Sequence, residues 1–539
     1  MADPASFDTF ASDNLPPRKQ WPDLLLEGLD YPDQLNCVTV LLDDRVAASD
    51  ASRPCLVSLT ETWSYADLRD RVNRIANVLT HQLGMIRGNR VLLRAPNTPM
   101  MVAAYLAVIK AGGIAVATMP LLRAGELRTI IAKAHITLAL CDYRLLADLE
   151  AAQTAGTGLH IVAMGGSADD DLLARMAQET DDFDACPTRA DDVCLIAFTS
   201  GTTGEPKGTM HFHRDMLATC DTYAAQVLRA RADDVFIGSP PIAFTFGLGA
   251  AVLFPLRVGA SSILLEQASP DQLLDAIRTL RPTVCFTAPT AYRAILGKLQ
   301  AGDTASLRVC VSAGETLPKP TWDAWHAATG VRILDGIGST EMLHIFIGAP
   351  VEKVRPGATG IPVPGYEAKL IDEQGNDLPR GSTGRLAVRG PTGCRYLADT
   401  RQTHYVQNGW NITGDTYHQD MDGYFWFQAR SDDMILSAGY NISGPEVEAA
   451  LLTHPAVAEC AVVAAPDADR GMIAKAYVVL IKPYEAGPDL QRALQDHVKA
   501  EIAPYKYPRS IEFVQSLPRT GTGKLQRFVL RQQAAAVQA

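Results

Sequence analysis

The chain has 539 residues, 47% of them apolar, and sets 49 basic residues against 60 acidic ones for a formal charge of −11. Such a length predicts more than one domain, and such an apolar share predicts a globular protein with large cores. The acidic balance, with no long single-sign run, excludes nucleic acid and an anionic membrane surface as natural partners. Ten cysteines are scattered without a Cys-x-x-Cys pair or a Cys/His cluster, which points to reduced core thiols and away from a structural zinc site. The first residues lack the basic start and apolar core of a signal peptide, so a soluble, cytoplasmic protein is expected.

In chain order, apolar spacing predicts a helix over 65–83, a strand over 90–95, a helix over 100–110 and a strand over 114–118. The run 101–120 is apolar enough to suggest a membrane span. Lys110 in its middle and Gly112-Gly113 after it argue instead for a buried helix running into a strand. The alternation continues with a helix over 126–134, a strand over 138–141 and a buried strand over 193–198. It resumes over 271–280 (helix), 284–287 (strand), 291–299 (helix) and 309–312 (strand). Such alternation predicts stacked, mostly parallel α/β sheets. From Gly357 to about 430 short strands and turns predict a β-rich subdomain. Beyond the charged segment Arg430-Ser431-Asp432-Asp433, a compact α+β domain is expected. The division is therefore 1–430, including the β-rich part over 357–430, and 431–539.

The strand over 193–198 opens into Thr199-Ser200-Gly201-Thr202-Thr203-Gly204-Glu205-Pro206-Lys207-Gly208, in which seven of ten residues are Gly, Ser or Thr. Glycines let backbone N–H groups close on an anion, hydroxyls add donors, and Lys207 adds charge, so the loop suits a polyphosphate. It is neither a Walker A sequence nor the dinucleotide fingerprint. Further along, Gly336-Ile337-Gly338-Ser339-Thr340-Glu341 follows an extended run ending at Asp335. It offers close backbone approach and a carboxylate for a metal ion. Asp415, at the turn Thr413-Gly414-Asp415, can accept bonds from both ribose hydroxyls. The glycine-rich loop Ser437-Ala438-Gly439-Tyr440 comes next, and a lysine, Lys524, closes Pro518-Arg519-Thr520-Gly521-Thr522-Gly523.

Taken together and in this order, the five motifs resemble the adenylate-forming superfamily of acyl-CoA synthetases, luciferases and peptide-synthetase adenylation domains, and the resemblance spans essentially the whole chain. It implies a large N-terminal domain, a small mobile C-terminal domain, and two half-reactions. A carboxylate attacks the α-phosphorus of ATP, and a thiol, that of coenzyme A or alternatively of a carrier protein, then displaces AMP. By motif position the resemblance assigns residues 199–204 and Lys207 to the β- and γ-phosphates, Thr340 to the α-phosphate and Glu341 to Mg²⁺. Asp415 and Arg430 fall to the ribose. Ala313, Gly314 and Glu315 line the adenine, whose amino group Asp335 can bond. Lys524 bridges the substrate carboxylate and the α-phosphate, Asp432 is the hinge, and 437–440 meets the thiol. Many relatives carry an aromatic residue where this chain has Ile337, which can pack on adenine but cannot stack.

Phe244-Thr245-Phe246-Gly247, together with Gly338, lies where the superfamily builds its acid pocket. The two phenylalanines are expected to form a flat slot, and His344 in Met342-Leu343-His344-Ile345-Phe346 is placed beside it. The run 336–346 resembles benzoate-type aryl-CoA ligases. The stretch Asp13–Pro22, Tyr31-Pro32 and Leu35-Asn36-Cys37 look closest to 2-aminobenzoate-CoA ligases. The implied partners are a small aromatic acid, ATP and coenzyme A, with Mg²⁺ as cofactor, and a homodimer is compatible with the pattern.

Overall fold

Apolar runs bounded by glycine and proline become the buried strands of two large sheets. The computed structural model describes residues 7–536 apart from 154–157, 199–205, 431–434, 438–439, 468–470, 503 and 520–524. One six-stranded sheet runs His160–Met164, Leu138–Asp142, Arg90–Arg94, Ile114–Thr118, Val193–Phe198, Gly208–Phe212. Its neighbours are parallel except the last two, a hairpin in which Phe198 faces Gly208 across the mouth of the glycine-rich loop. A nine-stranded sheet sets Ile333–Gly338, Val309–Ser312, Val284–Thr287, Val235–Gly238, Ser261–Ile263 and Pro54–Val57 side by side in parallel, with antiparallel strands at both ends.

The helix Pro99–Lys110 is buried on every side, as an all-apolar helix must be, and Thr98 caps it by accepting from the Met101 N–H. It leads into the strand Ile114–Thr118, so the tempting apolar run splits as expected. Lys110 is itself buried, and its Nζ donates to Asp43 Oδ1 and Asn73 Oδ1, each at 2.7 Å. No described helix is long and apolar enough to cross a membrane. All ten cysteines are free and eight of them are buried. The fold does bring Cys37, Cys194 and His213 within 4.8 Å of one another, a grouping the sequence spacing hides. There His213 Nδ1 accepts from the Cys37 N–H at 3.2 Å.

The β-rich part is a five-stranded antiparallel sheet built from Glu367–Ile371, Thr383–Arg389, Val406–Gln407, Trp410–Gln419 and Phe425–Arg430. From Ile435 onward the chain makes a core of its own. Val447, Leu451, Val478, Leu494 and Val498 pack between a three-stranded sheet and the helices Gly444–Leu451 and Pro488–Glu501.

One buried ion pair ties the large sheets to the strap of chain at 390–397. Asp215 and Arg395 are both fully buried, and Arg395 Nη1 donates to Asp215 Oδ2 at 2.8 Å. The same carboxylate oxygen caps the helix His213–Thr219 by accepting from the Phe212 N–H at 3.0 Å. The guanidinium lies 3.9 Å over the Phe212 ring and 5.2 Å from that of Trp21. Burial opposes ionisation of Asp215, but the Arg395 charge and neighbouring His211 outweigh it and hold the carboxyl well below the usual range. A carboxylate with a depressed folded-state pKa stabilises the fold fully above its unfolded value of about 3.9 and loses that contribution as pH falls further. Arg395→Met should cost about 3–5 kcal/mol in urea unfolding at neutral pH, because it strands a buried charge. The gap to wild type should shrink in acid. A loss below about 1 kcal/mol, the scale of an exposed pair, would contradict this.

Candidate active site

A cleft of about 1110 Å³ lies between the large domain and the C-terminal segment, and Lys207, Phe244, Gly314, Glu315, Thr340 and Asp415 are among the residues that line it. Gly338 to Glu341 line it, at the start of a turn that runs to His344 between two antiparallel strands in which Gly338 pairs with Ile345. A Cβ at Gly338 would sit 2.6 Å from the His344 carbonyl oxygen, so only glycine closes this turn. Leu343 takes φ 68° and its N–H donates to Thr340 O at 3.2 Å.

Two side chains from outside the turn fix it. His211 Nε2 donates to the Thr340 carbonyl at 2.8 Å, and His211 Nδ1 lies 3.7 Å from Asp215 Oδ2. Tyr396, next to Arg395, donates its hydroxyl to Glu341 Oε1 at 2.5 Å. Burial and the Glu341 charge push the Tyr396 phenol far up, so it remains a donor. Lys207 Nζ donates to the Tyr396 oxygen at 3.0 Å and stands 3.8 Å from Glu341 Oε1. Glu341 thus has its Oε1 held from the protein side while the residue lines the cleft. A cleft-lining carboxylate of this kind fits a hard cation such as Mg²⁺.

Asp415 is buried at the end of a hairpin, paired in register with Arg430, and its N–H donates to Thr413 Oγ1 at 3.3 Å. Gly314 takes φ 89° just beyond the strand Val309–Ser312 and presents Glu315 to the cleft. Asp335 ends its parallel pairing opposite Ser312, and its Oδ1 is buried without a partner among the described residues. Burial pushes this carboxyl well above the usual carboxylate range.

At the end of the Gly338–His344 turn sits an aromatic cluster. His344 is buried, with ring centroids of Phe254 at 4.5 Å, Tyr223 at 5.4 Å and Phe246 at 5.7 Å. Phe286 lies further back, its ring tilted 56° to that of Phe246 with centroids 5.6 Å apart. Neither His344 nitrogen has a hydrogen-bond partner among the described residues, nor does the Tyr223 hydroxyl. Burial pushes the imidazole down to about 3, so it is neutral at working pH. A Cβ on Gly249 would fall 2.4 Å from the ring, so glycine is what lets His344 lie there.

The expected flat slot takes a different form. Thr245–Leu248 is a helical turn, and residues two apart on a helix diverge. Phe244 faces the cleft, whereas Phe246 packs into the cluster beside His344. Gly247 is boxed in by the Pro241 carbonyl, 2.1 Å from where its Cβ would be. Ala313, Asp335, Gly336, Ile337, Thr245 and His344 are not among the residues that line this cleft. Residues 199–204, Asp432, Ala438, Gly439 and Lys524 lie outside the described residues, as do the side chains of Arg430 and Tyr440. Ser437 is buried at the end of the strand Ile435–Ser437. Sequence reasoning missed His211, Tyr396, Tyr405, Tyr223, Phe254 and Phe286. Two signals were present: the titratable run His211-Phe212-His213-Arg214-Asp215 directly after the loop, and a lone Arg395 among Cys394, Tyr396 and Leu397.

Residues 43–396 match the AMP-binding enzyme family and residues 446–524 the AMP-binding enzyme C-terminal domain. A benzoate–CoA ligase of Thauera aromatica is 37% identical over 512 residues, covering 94% of this chain and 97% of that protein. A 4-hydroxybenzoate–CoA/benzoate–CoA ligase of Rhodopseudomonas palustris is 33% identical, covering 92% and 94%. Among solved structures, the anthranilate CoA ligase AuaEII in complex with anthranoyl-AMP superposes with a TM-score of 0.90 at 36% identity, over 94% of this chain and 99% of that one. A benzoate CoA ligase from Burkholderia xenovorans gives 0.86 at 33%, over 92% and 100%. With both family regions matched and such relatives spanning nearly its full length, the chain belongs to the AMP-binding enzyme family, in its aryl-CoA ligase branch.

Proposed function

We propose that the protein activates a small aromatic acid, 2-aminobenzoate first and benzoate next, as an acyl-adenylate and passes the acyl group to the thiol of coenzyme A, releasing AMP and pyrophosphate. The observation that carries the substrate reading is His344, a buried, neutral imidazole with both nitrogens unpartnered among the described residues, ringed by Tyr223, Phe246 and Phe254. Leaving such a group unsatisfied costs about 1–3 kcal/mol, which a ligand with a polar substituent on a flat ring can recover. The anthranoyl-AMP complex of a 36% identical ligase supports the same acid.

The first half-reaction brings two anions together. A carboxylate is already a nucleophile at neutral pH, so the protein's task is alignment and charge compensation rather than base catalysis. In this reading residues 199–204 and Lys207 hold the leaving pyrophosphate end, Thr340 meets the α-phosphate, and Asp415 with Arg430 grips the ribose. Asp335, whose Oδ1 is buried without a partner among the described residues, would accept a hydrogen bond from the amino group of adenine. Glu341, oriented by Tyr396, would hold Mg²⁺, which when bound offsets charge on the phosphates. Lys524 stabilises the transition state, so its loss should fall on rate rather than binding. The C-terminal domain over 431–539 then turns about Asp432, bringing 437–440 to the thiol.

A panel of benzoates and straight-chain acids, assayed for pyrophosphate release and for thioester with coenzyme A, tests the function. The proposal expects 2-aminobenzoate to lead, thioester to require coenzyme A, and alkyl acids to trail by at least about tenfold. A medium-chain acid in first place would overturn the aryl reading. Separately, His344→Ala should lower kcat/KM for 2-aminobenzoate about tenfold or more relative to benzoate. An unchanged ratio would make His344 purely structural.

A further inference from the structure

The loop that carries Lys524 is closed at its stem. Arg519 and Leu525 form an antiparallel bridge, and the Gln526 N–H donates to Pro518 O at 2.9 Å. Leu525, the residue after Lys524, packs with Leu517, Val463, Tyr477 and Leu530 in the C-terminal domain.

The Arg519 side chain spans the two domains. Its Nη2 donates to Glu459 Oε2 at 2.7 Å, on the C-terminal strand Val457–Asp467. Its Nη1 lies 3.4 Å from Glu315 Oε1, on the large-domain segment that follows Gly314. Two residues from Glu459, the Val457 carbonyl accepts from Arg293 Nη2 at 3.0 Å, a second bond across the same seam. A guanidinium fork shared by two carboxylates fixes direction as well as distance, which a point charge does not.

We propose that Arg519 is a positioning residue for adenylation: clasped between Glu315 and Glu459, it docks the stem of the Lys524 loop on the nucleotide segment and so places the Lys524 cation. The inference rests on the adenylate-forming reading of the site. Because the clasp joins the domains, it must open for any orientation in which the C-terminal domain serves the thiol. Arg519 thus acts on the first half-reaction and has no role in the second. Its effect is on rate, since a charge displaced by about 1 Å forfeits up to about a hundredfold.

Two measurements on the full-length protein test the clasp. In benzoate-dependent pyrophosphate–ATP exchange, Arg519→Ala should lose at least about tenfold in kcat with little change in KM for ATP. Thioester formation from supplied benzoyl-adenylate and coenzyme A should fall much less. Arg519→Lys, which keeps the charge but not the fork, should fall between wild type and Arg519→Ala in exchange activity. Small-angle scattering is the second readout and needs no substrate. Arg519→Ala should alter the wild-type profile, and Arg519→Lys should alter it less. Equal losses in both half-reactions, or scattering profiles that superimpose, would overturn the clasp. A wild type without benzoate-dependent exchange would count against the aryl-acid reading, and the scattering comparison would still decide the clasp.

Discussion

The Asp215–Arg395 pair is the constraint on which the site depends. It joins two stretches of chain that are far apart in sequence: the hairpin around the glycine-rich loop with the helix His213–Thr219 that directly follows it, and the strap at 390–397. A buried ion pair is costly to desolvate and is weak evidence for stability by itself. Its value here is geometric. With Asp215 fixed, His211 stands in line to hold the Thr340 carbonyl, and with Arg395 fixed, the adjacent Tyr396 reaches Glu341. The two residues assigned to the α-phosphate and to the metal ion are thus held from opposite sides by side chains rooted in a single salt bridge.

The other end of the site has the opposite character. Around His344 the neighbours are aromatic rings, and the polar atoms of His344 and Tyr223 are left without protein partners among the described residues. Unsatisfied buried polar atoms mark a place where a partner is missing. In the proposed function the Gly338–His344 turn lies between the residues assigned to the phosphates and those assigned to the acid.

Much of this was legible in the sequence. The strand Val193–Phe198, the helix Pro99–Lys110 with its misleading apolar run, and the β-rich texture after Gly357 follow from periodicity and turn residues, which are local properties. Gly338 and Glu341 were visible as a motif, and both line the cleft. What periodicity could not supply were contacts made across the fold. Tyr396 reaches the site from the strap at 390–397 and Tyr405 from the end of the helical turn Gln402–Tyr405, and Phe254 and Phe286 belong to an ordinary helix and strand until packing sets them near His344. The flat slot expected of Phe244 and Phe246 failed for a local reason. A pair two apart shares a face on a strand but not on the helical turn that the chain adopts there.

At the centre of this account is activation at the α-phosphorus, with the acid joined to AMP before any thiol arrives. Quenching the protein after incubation with ATP and 2-aminobenzoate alone, and identifying the bound products by mass spectrometry, tests it most directly. The account predicts 2-aminobenzoyl-AMP and free pyrophosphate in the absence of coenzyme A, with AMP released when coenzyme A is added. Formation of ADP and an acyl phosphate, or no acyl-nucleotide until the thiol is present, would contradict it.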